Sequence, residues 1–148
     1  MGTSDPDLIF DRLGEDPFVL AACKDHPLAA KPSVGWADVE PYHLITAHRS
    51  SGNRTLLDAA LVKSNIKLRW FYEVTNLSTS LGLVDALRDF SPAAHDDPPQ
   101  DDHPFLNTRP ISDPEISRTI GVARRRGGTL SPAAERFLKM LMGVWGSN

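Results

Sequence analysis

Six apolar residues in a row, Phe18-Val19-Leu20-Ala21-Ala22-Cys23, stand between Pro17 and the polar turn Lys24-Asp25-His26-Pro27. A continuous apolar run of strand length suits a central strand covered on both faces. Pro27 ends it, because its ring cannot donate to a ladder and restricts the residue before it. Such a strand needs layers above and below, and the following residues offer them. A short helix is expected at Trp36-Ala37-Asp38-Val39, ended by Pro41, then a strand over Tyr42 to Thr46. A helix should run from about Asn53 to Lys63, with Leu56, Leu57, Ala60 and Leu61 on one stripe and Ser51 or Asn53 as its cap. Lys67 to Thr75 reads as a strand, with Leu68, Trp70, Tyr72 and Val74 on one face and Arg69, Phe71 and Glu73 on the other. A further helix follows near 79–88, its buried side marked by Leu81, Val84 and Leu87. Strand, helix, strand, helix is the order of an α/β fold with a parallel or mixed sheet.

The flanking segments are different. Residues 1–14 are polar, with Leu8 and Phe10 as isolated anchors. Residues 89–104 read as an acidic, proline-rich loop holding Asp96, Asp97, Asp101 and Asp102 with Pro92, Pro98, Pro99 and Pro104; nothing from Phe90 to Pro104 suits a core strand. Its lack of glycine argues against a calcium loop. Leu106 to Ile111 is expected as a short edge strand and Ile116 to Ala123 as a firmer one. Ser131 and Pro132 open a C-terminal helix over 131–145, with Phe137, Leu138, Leu141, Met142 and Trp145 as its apolar face.

With 148 residues, 41% hydrophobic and 24% charged, the chain has the size and composition of one globular domain. Its apolar stretches are too short to cross a bilayer and its first residues carry no signal-peptide pattern, so a cytoplasmic protein is expected. The single cysteine, Cys23, cannot form an internal disulfide and reads as a buried small hydrophobe. His26, His43, His48, His95 and His103 show no zinc-ligand spacing. A nucleophile elbow, a phosphate loop and a dinucleotide fingerprint are all missing, so neither enzyme activity, a metal nor a cofactor is expected. Arg124-Arg125-Arg126 is the one basic run, and with a net charge of -3 direct DNA contact is not expected. Ser50, Ser51, Asn53 and Ser78 stand in loops before helices. They suit helix capping and equally an anion at a helix N-terminus, where amide hydrogens are free.

One family resemblance ties these segments together. Asp16-Pro17-Phe18 through His26-Pro27-Leu28-Ala29 resembles the start of the second subdomain of LysR-type effector-binding domains. Trp36-Ala37-Asp38-Val39, Ser51-Gly52-Asn53-Arg54, Tyr72-Glu73-Val74, Leu77 to Val84, Arg118 to Val122 with Arg126-Gly127, and Ser131 to Phe137 resemble later segments in the family's order. The resemblance spans roughly residues 5 to 142. It implies a periplasmic-binding-protein-like (type II) fold, truncated to the second subdomain plus the C-terminal helix. It also implies a sensor of a small organic acid, its binding weak or lost because part of the cleft is absent, with Ser50, Ser51, Gly52, Asn53, Ser78 and Thr79 as the ligand corner. Two departures stand out. The family's DNA-binding part and the first part of subdomain one have no counterpart here. Arg88-Asp89-Phe90-Ser91-Pro92-Ala93 also stands where the family has an apolar strand returning to the first subdomain, and it reads as unable to form that strand. With part of the fold unsupplied, the C-terminal helix is expected to pack less securely and the chain to form a homodimer or larger. The alternative is a degenerate remnant, or a protein-interaction module without a ligand.

Overall fold

The computed structural model describes residues 5–87, 91–94 and 103–145. In chain order these form β1 (Leu8–Cys23), a 3-10 turn (Pro27–Ala30), β2 (Val34–Gly35), α1 (Trp36–Val39), β3 (Leu44–Ala47), α2 (Gly52–Lys63), β4 (Trp70–Val74), α3 (Leu77–Leu87), β5 (Ser91–Ala94), β6 (Leu106–Ser112), β7 (Ser117–Arg125) and α4 (Pro132–Trp145). They divide into two compact units, Met1–Asp16 with Thr119–Asn148, and Pro17–Arg118. The residues of the expected acidic loop from 95 to 102 lie outside the described residues.

In the Pro17–Arg118 unit, every residue from Phe18 to Cys23 is buried. Pairing on both edges places this segment inside the sheet: the strand order is β2-β6-β1-β5, with β1 antiparallel to both β6 and β5, and packed side chains cover its faces. Alternation along β1 sends Phe18, Leu20 and Ala22 into the larger core cluster, with Val34, Trp36, Leu44, Leu57 and Leu61. Cys23 faces the smaller cluster with Ile45, Val84 and Leu106, and its thiol donates to the Val84 carbonyl at 3.3 Å. Trp36 is anchored by its indole N–H, which donates to the Pro114 carbonyl at 2.8 Å.

β3 and β4 form a separate two-stranded parallel sheet. Leu44 lies opposite Trp70, but Ile45 lies opposite Tyr72, so Phe71 is an extra residue in β4. This bulge changes which way the strand faces. Leu68 and Trp70 pack with the larger cluster beside α2, whereas Tyr72 and Val74 pack with the smaller cluster beside α3. The pattern that put Leu68, Trp70, Tyr72 and Val74 on a single face is therefore corrected. Phe71 stays 51% exposed, stacked on His43 at 3.9 Å between ring centroids. Helices α2 and α3 bury Leu57 with Leu61, and Val84, on the two sides of this sheet.

Four other expectations are corrected. Ser91–Ala94 does form a strand, with Pro92 opposite Leu20. β5 ends the strand order, and an edge tolerates a proline that cannot donate. β6, expected as an edge strand, is covered at its end, where β2 pairs with Ile111 and Ser112; among the described residues its Leu106–Pro110 part has β1 as its one sheet neighbour. Leu8 and Phe10 are not isolated anchors but belong to β1, which begins at Leu8. Leu87, expected on the buried side of its helix, is 44% exposed.

In the other unit, β1 pairs with β7. The backbone N–H of Arg126 donates to Asp7 at 2.6 Å and the Arg124 guanidinium donates to Asp11 at 2.6 Å. Gly121 is needed for this approach: a Cβ there would stand 2.6 Å from the Asp11 carbonyl oxygen and 2.4 Å from the Phe10 ring. Ser131 caps α4 as expected, its hydroxyl accepting from the Ala134 N–H at 3.2 Å. No residue of α4 is buried; Phe137, Met140, Met142 and Val144 are 65%, 63%, 41% and 70% exposed. Among the described residues no helix is long and apolar enough to cross a membrane.

Candidate functional site

Two parallel strands that end level put whatever follows them on the same edge of a sheet. Ala47 lies opposite Val74 at the ends of β3 and β4, and the His48 N–H donates to the Val74 carbonyl at 2.8 Å. Residues 48–51 then lead into α2, and Thr75 and Asn76 into α3. The first turns of both helices therefore start from one edge, within the Pro17–Arg118 unit. Their free amide hydrogens and the positive ends of their dipoles favour a negative group there.

The expected ligand residues occupy this edge in different ways. Ser50 is turned toward His48: its N–H donates to His48 Nδ1 at 3.3 Å and its hydroxyl lies 3.0 Å from the same nitrogen. Ser51 is the N-cap residue of α2, but its side chain makes no capping bond; its carbonyl accepts from Thr55 instead. Gly52 is exposed, and a Cβ there would meet nothing within 4 Å, so the space above the helix end is open. Asn53 Oδ1 accepts from Arg118 Nη1 at 3.3 Å. Ser78 and Thr79 are exposed in the first turn of α3.

Arginines stand beside these residues; Arg54 and Arg118 lie in the family-like segments of the sequence, but their pairing with each other's neighbours, and Arg49, could not be read there. Arg54, one turn into α2, is 4% exposed. Its Nε donates to Asp58 at 2.8 Å, and its Nη1 donates to the Ala47 carbonyl and to Glu73 Oε1, each at 3.3 Å. Its guanidinium lies 5.0 Å from the Trp70 ring centroid. Arg49 donates to the same Glu73 oxygen at 3.3 Å but is 78% exposed. Burial works to raise the Glu73 carboxyl; the hydrogen bonds and charges of Arg49 and Arg54 outweigh it and hold the group below its ordinary range. Near the start of α2, Arg49 and Arg54 thus share Glu73, Arg54 also pairs with Asp58, and Arg118 donates to Asn53. One signal was readable: Arg54 and Asp58 are four apart on a helix, the spacing of a facing ion pair. Among the described residues no group of three or more histidine, cysteine or acidic side chains is placed to hold a metal.

Comparison with known proteins covers nearly all of the chain. The LysR substrate binding domain model matches residues 2–146. The uncharacterized HTH-type transcriptional regulator YbhD of Escherichia coli is 44% identical over 136 residues, 92% of this chain but 43% of that protein. YfeR of Shigella flexneri, of the same description, is 29% identical over 129 residues, 42% of its length. The chain therefore spans less than half the length of these relatives. Among solved structures, the effector binding domain of QuiR in complex with shikimate superposes with a TM-score of 0.82 at 24% identity, covering 100% of this chain and 70% of that one. The regulatory domain of CcmR from Synechocystis PCC6803 in complex with 2-PG gives 0.81 at 23% identity, with 98% and 70% covered.

Proposed function

Because this chain belongs to the LysR substrate binding domain family, a family of non-catalytic sensing modules, we propose that it is the effector-sensing part of a LysR-type transcriptional regulator. Its ligand is a small organic anion, held by its acid group at the edge where α2 and α3 begin. The observation that carries this reading is the level ending of β3 and β4, which gives two helix N-termini one edge, with arginines beside it. Ser51, Gly52, Ser78 and Thr79 supply donors, and Asn53 is steadied by Arg118. Ser50 serves by holding His48 rather than by touching ligand. Shikimate, bound by the QuiR domain, is itself a carboxylate. The fold corresponds to the second subdomain with the C-terminal helix, and DNA is read by a part of the regulator other than this one.

Calorimetric titration of the chain with shikimate, benzoate and other small organic acids tests the proposal. Saturable binding that weakens in the Ser51→Ala, Ser78→Ala double variant is expected. Binding of equal strength in that variant would place the ligand elsewhere.

A second reading is favoured by one observation, the exposed apolar side chains of α4. Four large apolar side chains left in water on one helix, Phe137, Met140, Met142 and Val144, suit contact with another protein. A second copy of this chain is the proposed cover, in a homodimer or larger assembly.

A further inference from the structure

We propose that Arg49 selects for charge at this edge by exchanging Glu73 for the acid group of the ligand. The inference rests on the anion reading above and names the side chain that makes the site prefer a carboxylate over a neutral analogue.

The geometry assigns unequal roles to the two arginines that share Glu73. Arg54 is buried and fixed: it bonds Asp58, the Ala47 carbonyl and Glu73, and lies over Trp70. Arg49 is exposed, and its bond to Glu73 Oε1 at 3.3 Å is the one hydrogen bond it makes among the described residues. That distance is beyond the usual range for such a bond, and just one of its donor nitrogens is engaged. A guanidinium has five N–H donors in a planar fork that matches a carboxylate in two places. A ligand carboxylate offers Arg49 a two-point partner where Glu73 gives it one.

Departure of Arg49 does not strand Glu73. Arg54 donates to the same oxygen and stays, so the carboxylate keeps a charged partner throughout. Arg49 is also well placed to reach a ligand, since it lies in the loop that enters α2, two residues before the N-cap Ser51. Glu73 is therefore an internal competitor for Arg49: it holds the arginine when no ligand is bound and sets the strength an acid must exceed. A neutral ligand cannot displace it.

The test is calorimetric titration of the full chain with shikimate, benzoate and inorganic phosphate, with benzamide as the neutral partner of benzoate. Arg49→Gln should weaken the best-bound anion by about tenfold, the size of one lost charge-assisted interaction, and shrink the preference for benzoate over benzamide. Glu73→Gln should tighten the anion by roughly threefold, because the competitor is gone. Arg12→Gln, which removes an exposed arginine paired with Glu15 in the other unit, should leave affinity unchanged and so exclude a net-charge effect. Thermal unfolding of each variant separates lost binding from lost folding. Anion binding that Arg49→Gln leaves intact would overturn this inference while the anion reading stands. Wild-type chain that binds none of the three anions would overturn both.

Discussion

Replacing Arg54 by alanine should destabilise the Pro17–Arg118 unit by about 3–4 kcal/mol, and replacing it by methionine by about 2 kcal/mol. Three losses make up the sum; the Glu73 bond is left out because Arg49 still holds that carboxylate, and the Trp70 ring contact is left out as weak at 5.0 Å. The 2.8 Å bond to Asp58 is charge-assisted, but Asp58 is 42% exposed and recovers water, so its loss counts for about 1 kcal/mol. The bond to the Ala47 carbonyl adds about 1 kcal/mol. The two buried methylenes that alanine lacks add about 1.5 kcal/mol at ~0.8 each. Methionine restores the stem and so recovers that last part. Urea unfolding followed by tryptophan fluorescence is suitable, since Trp70 lies under the guanidinium. With a slope of about 1.5–2 kcal/mol/M, alanine should lower the midpoint by about 2 M and methionine by about 1 M. An alanine variant within about 0.5 kcal/mol of wild type would refute the reasoning, because it would mean that the buried guanidinium is not what joins α2 to the ends of β3 and β4. Methionine as damaging as alanine would refute the division between stem and head group.

Other perturbations test separate parts of the account. Gly121→Ala forces a methyl group against the Asp11 carbonyl and should cost about 1–3 kcal/mol, read as a fall in thermal midpoint; an unchanged midpoint would deny the close approach of β7 to β1. Deleting Phe71 removes the extra residue of the bulge and leaves Trp70 and Tyr72 on opposite faces, so the unfolding free energy from a urea titration should change by about 1 kcal/mol or less; collapse of the fold would contradict the bulge. Burial lowers the His26 pKa from its ordinary 6.5 against the opposing charge of Asp25, and its Nδ1 accepts from the Leu28 N–H. The folded chain thus binds fewer protons at this site, and its contribution is fully present above pH 6.5 and lost as pH falls through the folded value. His26→Asn, which keeps an acceptor at the cap, should flatten thermal stability between pH 7.5 and 5.5 relative to wild type. Sedimentation equilibrium should show a dimer or larger at micromolar concentration that Phe137→Glu weakens; a monomer at all concentrations would end the second-copy proposal.

What was legible in the sequence depended on whether local pattern and tertiary position agreed. Phe18–Cys23 announced a buried strand because its apolar composition agrees with its central place in the sheet, between β5 and β6 with side-chain clusters on its faces. Leu57 and Leu61 likewise appeared on the inward stripe of α2. β4 was found as a strand, but strict alternation cannot reveal a one-residue bulge, so Tyr72 and Val74 were given the wrong neighbours. Pro92 marked a loop by its chemistry, yet it sits in an edge strand whose missing donor is no loss. At the candidate site, Ser51 was readable from its place before α2, although its side chain makes no capping bond, whereas Ser78, read as standing before a helix, lies within the first turn of α3. Arg49 and Glu73 were not readable, because the pairing that joins a loop to the next strand exists only once β3 and β4 lie side by side.

Amide chemical-shift mapping of the ¹⁵N-labelled chain during titration with shikimate and benzoate tests the anion site most directly. Saturable shifts concentrated at the N–H groups of Ser51, Gly52, Asn53, Ser78 and Thr79, at the starts of α2 and α3, are expected. Shifts that never saturate, or that gather away from those two turns, would contradict it.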